Sequence, residues 1–150
     1  MKTSIIYPVV LILIFAFTSC KKEFPNDPLS LTNFSISDCK TKGASVKGTG
    51  NEYITLQTVN DYYLLFSHIN SVFNCQPGQI TISLEISADT ITINEDETDA
   101  SANCICPYDL KFRLGPLKYA NYTVVFQKFG ITFKEYSLEF KKSTNVKIDL

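Results

Sequence analysis

The residues of this chain best suited to chemistry are four of its cysteines and its only histidine. Cys104 and Cys106 form a Cys-x-Cys pair, Cys39 and Cys75 lie upstream, and His68 falls in an apolar stretch. Thiolate and imidazole groups bind Zn²⁺ and Cu(I), whereas thiols in an oxidising compartment form disulfides. The spacing differs from the paired Cys-x-x-Cys of structural zinc sites, and the single Met argues against a copper carrier. The compartment therefore decides between metal and disulfides.

The N-terminal residues predict export and membrane anchoring. Lys2 and a nearly unbroken apolar run over residues 5–17 are typical of a secretory signal, too short for a good transmembrane anchor. The small residues before Cys20 resemble a bacterial lipobox, whose cysteine becomes the acylated first residue of the mature protein. Residues 1–19 are therefore predicted to be a lipoprotein signal peptide, and Cys20 is predicted to bind the lipid membrane through palmitate and related acyl chains. The alternative is an ordinary signal peptide with an incidental cysteine.

Residues 20–32 are predicted to be the lipidated cysteine and a flexible tether. Two prolines, with Asn and Asp between them at residues 25–28, favour an extended chain. The pair Lys22-Glu23 just behind the lipidated cysteine is similar to the surface-export signals of Bacteroidetes lipoproteins. The predicted location is the cell envelope, as an outer-membrane lipoprotein, with surface display slightly favoured over the periplasmic leaflet. A solvated charged linker is the alternative interpretation of this pair.

Export favours disulfides for the four remaining cysteines. Four cysteines allow three connectivities, and a Cys104–Cys106 bridge would close a very tight ring. Two connectivities stay open: Cys39–Cys104 with Cys75–Cys106, or Cys39–Cys106 with Cys75–Cys104. Each bridge is expected to contribute about 2–4 kcal/mol by restricting the unfolded chain. Metal binding by Cys75, Cys104, Cys106 and His68 is the alternative, and neither a metal nor another cofactor is predicted.

Alternation of apolar and polar residues predicts an all-β domain over residues 33–150. Val, Ile, Thr, Phe and Tyr are plentiful, Trp is absent, and no stretch has a helical period. Eight or nine short strands indicate an antiparallel immunoglobulin-like (fibronectin III-like) β-sandwich. The predicted strands cover residues 33–38, 53–59, 62–73, 80–86, 90–94, 108–114, 122–129, 131–140 and 144–150.

The same alternation predicts which side chains are buried. Leu110, Phe112 and Leu114 share the core face of one strand, and Leu150 points inward at the end of the last strand. The parity of the apolar residues switches within the strand over residues 131–140. A β-bulge at Lys134-Glu135 would explain this switch.

A short segment before the strand at residues 122–129 supports the sandwich. Residues 117–124 resemble the Leu-x-Pro-Gly-x-Tyr-x-Val corner between the E and F strands of fibronectin type III domains. In that corner the tyrosine ring packs in the core while its hydroxyl bonds an upstream backbone group. Leu117 and Tyr122 are predicted to take these roles, although Tyr and Ala replace the usual Pro and Gly. The alternative for Tyr122 is a plain core aromatic.

Few other residues suggest chemistry. Thr90 follows Asp89 and precedes an aliphatic residue, which matches the short O-glycosylation motif of exported Bacteroidetes proteins. The acidic residues 95–103 lack the ligand ladder and glycine of a calcium loop, so we predict a solvated loop. His68 is more typical of a satisfied strand histidine than of a general base, so we predict no catalytic residue and no enzyme activity. A net charge of −1 provides no basic field for nucleic acid.

Several stretches together resemble a known group of proteins. His68-Ile69-Asn70, Phe73-Asn74-Cys75, residues 91–95 and Cys104-x-Cys-Pro-Tyr-Asp-Leu resemble short, uncharacterised Bacteroidetes cell-envelope lipoproteins. The resemblance implies origin, lipidation and an immunoglobulin-like sandwich, and it carries no activity, substrate or catalytic residue. The expected function is a non-catalytic binding or interaction module with an unknown protein or glycan ligand. The alternative is a metal- or redox-active envelope protein that uses the Cys-x-Cys cluster.

Overall fold

The computed structural model describes residues 23–40 and 50–150, which form nine β-strands. The predicted signal peptide and the candidate lipidation site Cys20 lie outside these residues. In the described part of the chain, no helix is long and apolar enough to cross a membrane. The strands are β1 (Ser30–Ile36), β2 (Tyr53–Val59), β3 (Tyr63–Asn74), β4 (Gln79–Ser87), β5 (Thr90–Thr98), β6 (Ile105–Gly115), β7 (Ala120–Lys128), β8 (Ile131–Phe140) and β9 (Asn145–Asp149).

The strands form two sheets that pack as an immunoglobulin-like β-sandwich, as predicted. One sheet has the order β1-β6-β3-β2-β9 and the other has the order β4-β5-β7-β8. Every pair is antiparallel except β5 and β7, which are parallel. The chain leaves β5, runs back through β6 in the other sheet, and returns as β7, so β5 and β7 point the same way. The smaller sheet is therefore mixed, whereas a purely antiparallel sandwich was expected.

The main core lies between the sheets and uses alternate residues of the central strands. Leu110, Phe112 and Leu114 of β6 are all buried, as the alternation predicts. The ring of Phe66 in β3 stacks on Phe112, with centroids 4.4 Å apart, and lies 5.9 Å from the ring of Phe126 in the opposite sheet. Each such buried side chain contributes about 1.5–3 kcal/mol. These aromatic contacts hold the two sheets face to face.

The predicted corner between β6 and β7 is confirmed. The Tyr122 hydroxyl donates a hydrogen bond to the carbonyl of Lys118 at 3.1 Å, and Leu117 is buried in the core. Tyr119, which stands where proline is usual, stacks on Tyr62 with ring centroids 5.9 Å apart. The corner therefore keeps the leucine and tyrosine roles without the Pro-Gly turn.

Three local predictions are corrected by the structure. Strand β1 begins at Ser30, inside the predicted tether, and Leu31 packs against the core. The bulge lies at Phe133, one residue before its predicted position, because the register of β7 and β8 shifts there. Leu150 was expected to point inward, but it follows the end of β9 and is exposed. Once the strand has ended, alternation no longer decides which way a side chain points.

Candidate functional site

The four described cysteines form two disulfides, Cys39–Cys106 and Cys75–Cys104. Their Cα atoms are 5.7 and 5.6 Å apart. This is one of the two connectivities that the sequence left open, and it places the sulfurs of the Cys-x-Cys pair in different bridges. Thiolates bind metals, so these bonded sulfurs are not available as ligands in this state. Within residues 23–40 and 50–150, no group of three or more His, Cys, Asp or Glu side chains could hold a metal ion.

The bridges lie in and beside a small core of their own, which we call the disulfide cluster. It consists of Phe73, Ile80, Tyr108, Leu110 and the two disulfides, of which Cys106 is fully buried and Cys104 is exposed at the rim. The hydroxyl of Tyr108 donates a hydrogen bond to the carbonyl of Asn74 at 3.0 Å, at the end of β3. Burial, with smaller contributions from nearby carboxylates, raises the pKa of Tyr108 above its ordinary value. The Cys-x-Cys stretch is therefore a structural hub of the larger sheet.

The other predicted site residues lie along β5. Thr90 is the first residue of this strand and is half-buried, and its O-glycosylation stays a prediction. The solvated acidic loop predicted over residues 95–103 is wrong for its first part, because β5 continues to Thr98 and Glu95 is only 2% exposed, whereas residues 99–103 form a largely exposed loop after the strand. Successive side chains of a strand alternate between faces, so Glu95 shares the inward face of Ile91 and Ile93. An inward carboxylate requires a partner, and the structure supplies one.

Glu95 belongs to a cluster of polar side chains between the sheets that the sequence did not reveal. We call Glu52, His68, Ser71, Glu95 and Lys128 the buried ionic network. His68 and Ser71 come from β3, Glu95 from β5 and Lys128 from the end of β7, while Glu52 immediately precedes β2. The network therefore joins the larger sheet to the smaller one.

An irregularity in β3 turns both of its network residues inward. The register of β3 against β6 shifts between His68 and Ser71, and Asn70 between them has a φ of 62°. Residues three apart on a regular strand face opposite sides, so this bulge is what brings the two side chains together. Asn tolerates this left-handed conformation better than most residues. The Asn70 amide also donates to the carbonyls of residues 50–51 at 3.0 and 3.1 Å, which positions the following residue, Glu52.

His68 is fully buried between two carboxylates. Its Nδ1 lies 2.7 Å from Oε1 of Glu95, and its Nε2 lies 2.9 Å from Oε1 of Glu52. The first contact is a hydrogen bond, whereas Nε2 has no hydrogen bond of good geometry and forms an ion pair with Glu52 when the imidazole is protonated. The ring of Phe133 stacks over the imidazole, with centroids 6.0 Å apart and planes 25° from parallel. His68 is therefore held firmly on its Nδ1 side and loosely on its Nε2 side.

Lys128 completes the network from the smaller sheet. Its Nζ donates to Oγ of Ser71 at 2.8 Å and to the carbonyl of Val72 at 3.3 Å. The Ser71 hydroxyl in turn donates to Oε2 of Glu95 at 2.9 Å. Nζ also lies 3.6 Å from Oε1 of Glu52 and 4.0 Å from Oε2 of Glu95. With His68 protonated, two cations offset two anions.

The carboxylates favour the protonated form of His68. Burial disfavours the imidazolium and is the largest single influence, but the contacts with Glu52 and Glu95 raise the pKa of His68 above its ordinary value of 6.5. Burial also disfavours the Glu52 carboxylate, yet His68 and Lys128 lower the pKa of Glu52 below its ordinary value of 4.5. Each group thus keeps the charge that its partners require.

An apolar groove of about 370 Å³ lies directly against the network. Ile131 is 71% exposed, and three other large apolar side chains of the groove are also exposed to solvent. The groove lies beside β8, the edge strand of the smaller sheet, and beside the residue that follows β9, the edge strand of the larger sheet. Its lining residues are Glu52, Lys128, Phe129, Ile131, Phe133 and Leu150.

The arrangement favours binding over nucleophilic chemistry. Ser71 and Lys128 are the residue types of a serine–lysine dyad. However, Ser71 is fully buried and its hydroxyl proton is directed at Glu95. A nucleophile must be able to reach its substrate. A groove with apolar walls and a few charged groups is instead typical of a ligand-binding site.

The sequence contained partial signals for this site. The alternation of Ile91, Ile93 and Glu95 marks an inward carboxylate, and an Asn within an apolar strand marks a possible bulge beside His68. Glu52 and Lys128 carry no such signal, since each stands at a strand end where charged residues are usually solvated. Only the packing of the two sheets brings them together.

Comparison with protein-family models, curated proteins and solved structures found no significant match. The functional interpretation therefore depends on the groove and the network themselves.

Proposed function

We propose that this protein is a non-catalytic binding module, anchored in the outer membrane through acylated Cys20 and displayed on the cell envelope. Its ligand is an extended polypeptide segment of a partner protein, which lies along β8 and places one apolar side chain in the groove. The observation that carries this proposal is the collection of large, exposed apolar side chains beside a strand edge. The two disulfides support it by making the sandwich a rigid platform.

The walls of the groove define the group that enters it. Phe129, Ile131 and Phe133 are exposed although covering apolar surface is favourable by about 25 cal/mol per Å². The charged lining residues, Glu52 and Lys128, are already paired with each other and with the network. An uncharged apolar side chain therefore fits this groove better than an ion.

Strand β8 supplies the second half of the site. Among the described strands it pairs only with β7, so the backbone N–H and C=O groups on its other edge have no strand partner. An extended peptide satisfies such groups by adding a strand, while neighbouring pockets take its alternate side chains. A glycan would instead need several polar side chains directed into the groove, and only Glu52 and Lys128 line it.

A second groove, beside the disulfide cluster, is a weaker candidate. It measures about 490 Å³ and includes Phe34 and Ile36 of the edge strand β1, which are also exposed. The polar residues Ser37, Asp38 and Gln79 interrupt the rest of its lining. Its apolar residues therefore form a less continuous surface than those beside β8.

Peptide selection tests the binding proposal. The mature chain carrying Cys20→Ala, which cannot be acylated, is used to select from a random peptide display library. Peptides with apolar residues at alternate positions should be enriched. Ile131→Ser should weaken binding of a selected peptide by about tenfold, as expected for a central interface residue.

Ile86→Ser is the matched control, because Ile86 is an exposed isoleucine on β4, the edge strand at the far side of the same sheet. It should leave binding unchanged. If no peptide is enriched above background, or if Ile86→Ser weakens binding as much as Ile131→Ser does, the proposal is wrong.

The membrane anchor is tested separately. Intact mass measurement of the detergent-extracted protein should show acyl chains on an N-terminal Cys20, and the protein should partition into the detergent phase. The Cys20→Ala chain should appear in the aqueous phase at its unmodified mass. A mature wild-type chain with unmodified Cys20 would contradict the anchor, and protease treatment of whole cells distinguishes surface display from a periplasmic location.

A further inference from the structure

We propose that the buried ionic network makes the apolar groove pH-sensitive, so that loss of the His68 proton releases the Glu52 carboxylate into the groove and weakens binding there. This inference rests on the proposed function, because it concerns regulation of the same site. It requires a geometric link between the histidine and the groove. Three residues provide this link: Glu52 and Phe133 contact the imidazole and line the groove, and Lys128 contacts both carboxylates and also lines it.

The geometry decides which nitrogen loses its proton. Nδ1 makes a directed hydrogen bond of 2.7 Å to Glu95, a carboxylate that is itself buried and fixed by Ser71. Nε2 faces Glu52 in an ion pair without hydrogen-bond geometry. The Nδ1 proton is therefore retained, and the Nε2 proton passes to solvent hydroxide. Neutral His68 then directs a lone pair at Oε1 of Glu52 from 2.9 Å.

Glu52 is the partner that can move in response. Its side chain is 34% exposed, whereas that of Glu95 is 2% exposed. Once its attraction to His68 is lost, Glu52 is free to turn toward the groove, with Lys128 at 3.6 Å as its remaining cation. A carboxylate in an apolar groove must be desolvated when an apolar group enters, which disfavours binding.

No other described charge contacts His68 across the elements packed around it. The charged neighbours are Glu52 before β2, Glu95 on β5 and Lys128 on β7. Its register partners are Leu110 on β6 and Ile54 on β2, and both are apolar. Two carboxylates raise the pKa of His68 above its ordinary value against burial and against Lys128, so the imidazole holds its proton to a higher pH than a free histidine does.

The single histidine of the chain makes the first test unambiguous. The imidazole resonances of the Cys20→Ala chain are followed by NMR from pH 5 to pH 9. The midpoint should lie above 6.5, the ordinary pKa of histidine. The resonances of Glu52, Lys128 and Phe133 should shift with the same midpoint. If His68 titrates while the groove residues do not follow, the inference is overturned.

The second test measures binding of N-phenyl-1-naphthylamine, an apolar probe that stays uncharged over this range. Its dissociation constant should rise by about fivefold from pH 6 to pH 9, a coupling at the low end of those known between sites. Glu52→Gln should remove most of this dependence, because the amide carries no charge to release. Glu85→Gln, at an exposed position on β4, is the matched control and should keep it.

The outcomes separate the two proposals. Equal probe affinity at pH 6 and pH 9 overturns the pH sensitivity and leaves the binding site intact. Probe binding that Ile131→Ser does not weaken at either pH overturns the groove as the binding site, and the regulation falls with it. Probe binding that weakens at alkaline pH in the wild type and Glu85→Gln, but not in Glu52→Gln, supports both.

Discussion

Two regions secure the second half of β3, and they do so by different chemistry. The disulfide cluster closes loops within the larger sheet, since Cys39, Cys75, Cys104 and Cys106 all lie on or beside its strands. The buried ionic network instead links that sheet to the smaller one through Glu95 and other side chains. The covalent links are independent of pH, whereas the ionic links last only while their groups keep their charges. The buried ionic network, which depends on these charges, is also the region that adjoins the apolar groove.

This difference indicates that two parts of strand β3 have different roles. Phe73 marks the boundary, because it belongs to the disulfide cluster while its ring lies 4.5 Å below Nζ of Lys128. On the side of the disulfide cluster the chain is fixed by covalent bonds, and on the side of the buried ionic network it can respond to pH. A binding surface beside a responsive region can be regulated, while the fixed region preserves the fold.

Removing a disulfide is expected to have the largest effect. Cys39 and Cys106 are 67 residues apart in sequence, so Cys39→Ala with Cys106→Ala should lower the free energy of unfolding by about 4 kcal/mol. Cys75 and Cys104 are 29 residues apart, and their double Ala variant should lose about 3.5 kcal/mol. Urea unfolding of each variant, with and without reductant, measures both values.

The His68 NMR titration should keep the same midpoint in both double variants, because no bridge contacts the network. A shifted midpoint would show that the two regions are coupled through Phe73. The two regions would then behave as one unit.

Removing Glu95 is expected to have the next largest effect. Glu95→Ala leaves His68 and Lys128 as buried or half-buried cations without their shared carboxylate, which should lower the free energy of unfolding by about 3 kcal/mol. Glu85→Ala, at an exposed position of the neighbouring strand β4, should change it by less than about 0.5 kcal/mol. Urea unfolding at pH 6 measures both. Equal effects of the two substitutions would mean that the network does not stabilise the fold.

Below the pH range in which tyrosine titrates, the pH dependence of stability should come mainly from the ionic region. The pKa of His68 is raised on folding, so its contribution is complete below its ordinary value of 6.5 and is lost as pH rises through the folded value. The pKa of Glu52 is lowered, so its contribution is complete above its ordinary value of 4.5 and is lost as pH falls through the folded value. The midpoint of thermal unfolding should therefore be highest between these two values.

Glu95→Ala provides the check on this pH profile. It removes the carboxylate that holds Nδ1 of His68, so the alkaline loss of stability should become smaller. The double cysteine variants should keep the wild-type profile at a lower melting temperature. A maximum well above pH 7 in the wild type would contradict the assignment of the profile to His68.

The sequence predicted the parts of this fold that follow from local pattern. Alternation placed Leu110, Phe112 and Leu114 in the core, and the corner at Leu117 and Tyr122 followed from its own residues. The disulfide connectivity could be narrowed but not chosen, because it depends on which strands become neighbours. The four sulfurs meet only after β6 has paired with both β1 and β3.

The ionic network could not be assembled from the sequence for a similar reason. His68 and Glu95 are 27 residues apart, and Ser71 and Lys128 are 57 apart. The acidic run also misled, because its composition is typical of a solvated loop while its alternation directs Glu95 inward. At Glu95 the acidic composition predicted exposure to solvent, whereas the alternation of the strand predicted an inward side chain. The side chain is buried between the two sheets, as the alternation predicted.

The smallest expected loss of stability comes from a substitution outside both regions, and it serves as a reference for the larger losses. Tyr122→Phe removes the hydroxyl that donates to the Lys118 carbonyl at 3.1 Å and keeps the ring. A single hydrogen bond between uncharged groups contributes about 1 kcal/mol, so urea unfolding should show a loss of about this size. Because neither charge nor disulfide is involved, the loss should be the same at pH 5 and pH 8 and with or without reductant. A loss that varied with pH would mean that the corner communicates with the network, and the ionic region would then extend through the smaller sheet to its opposite end.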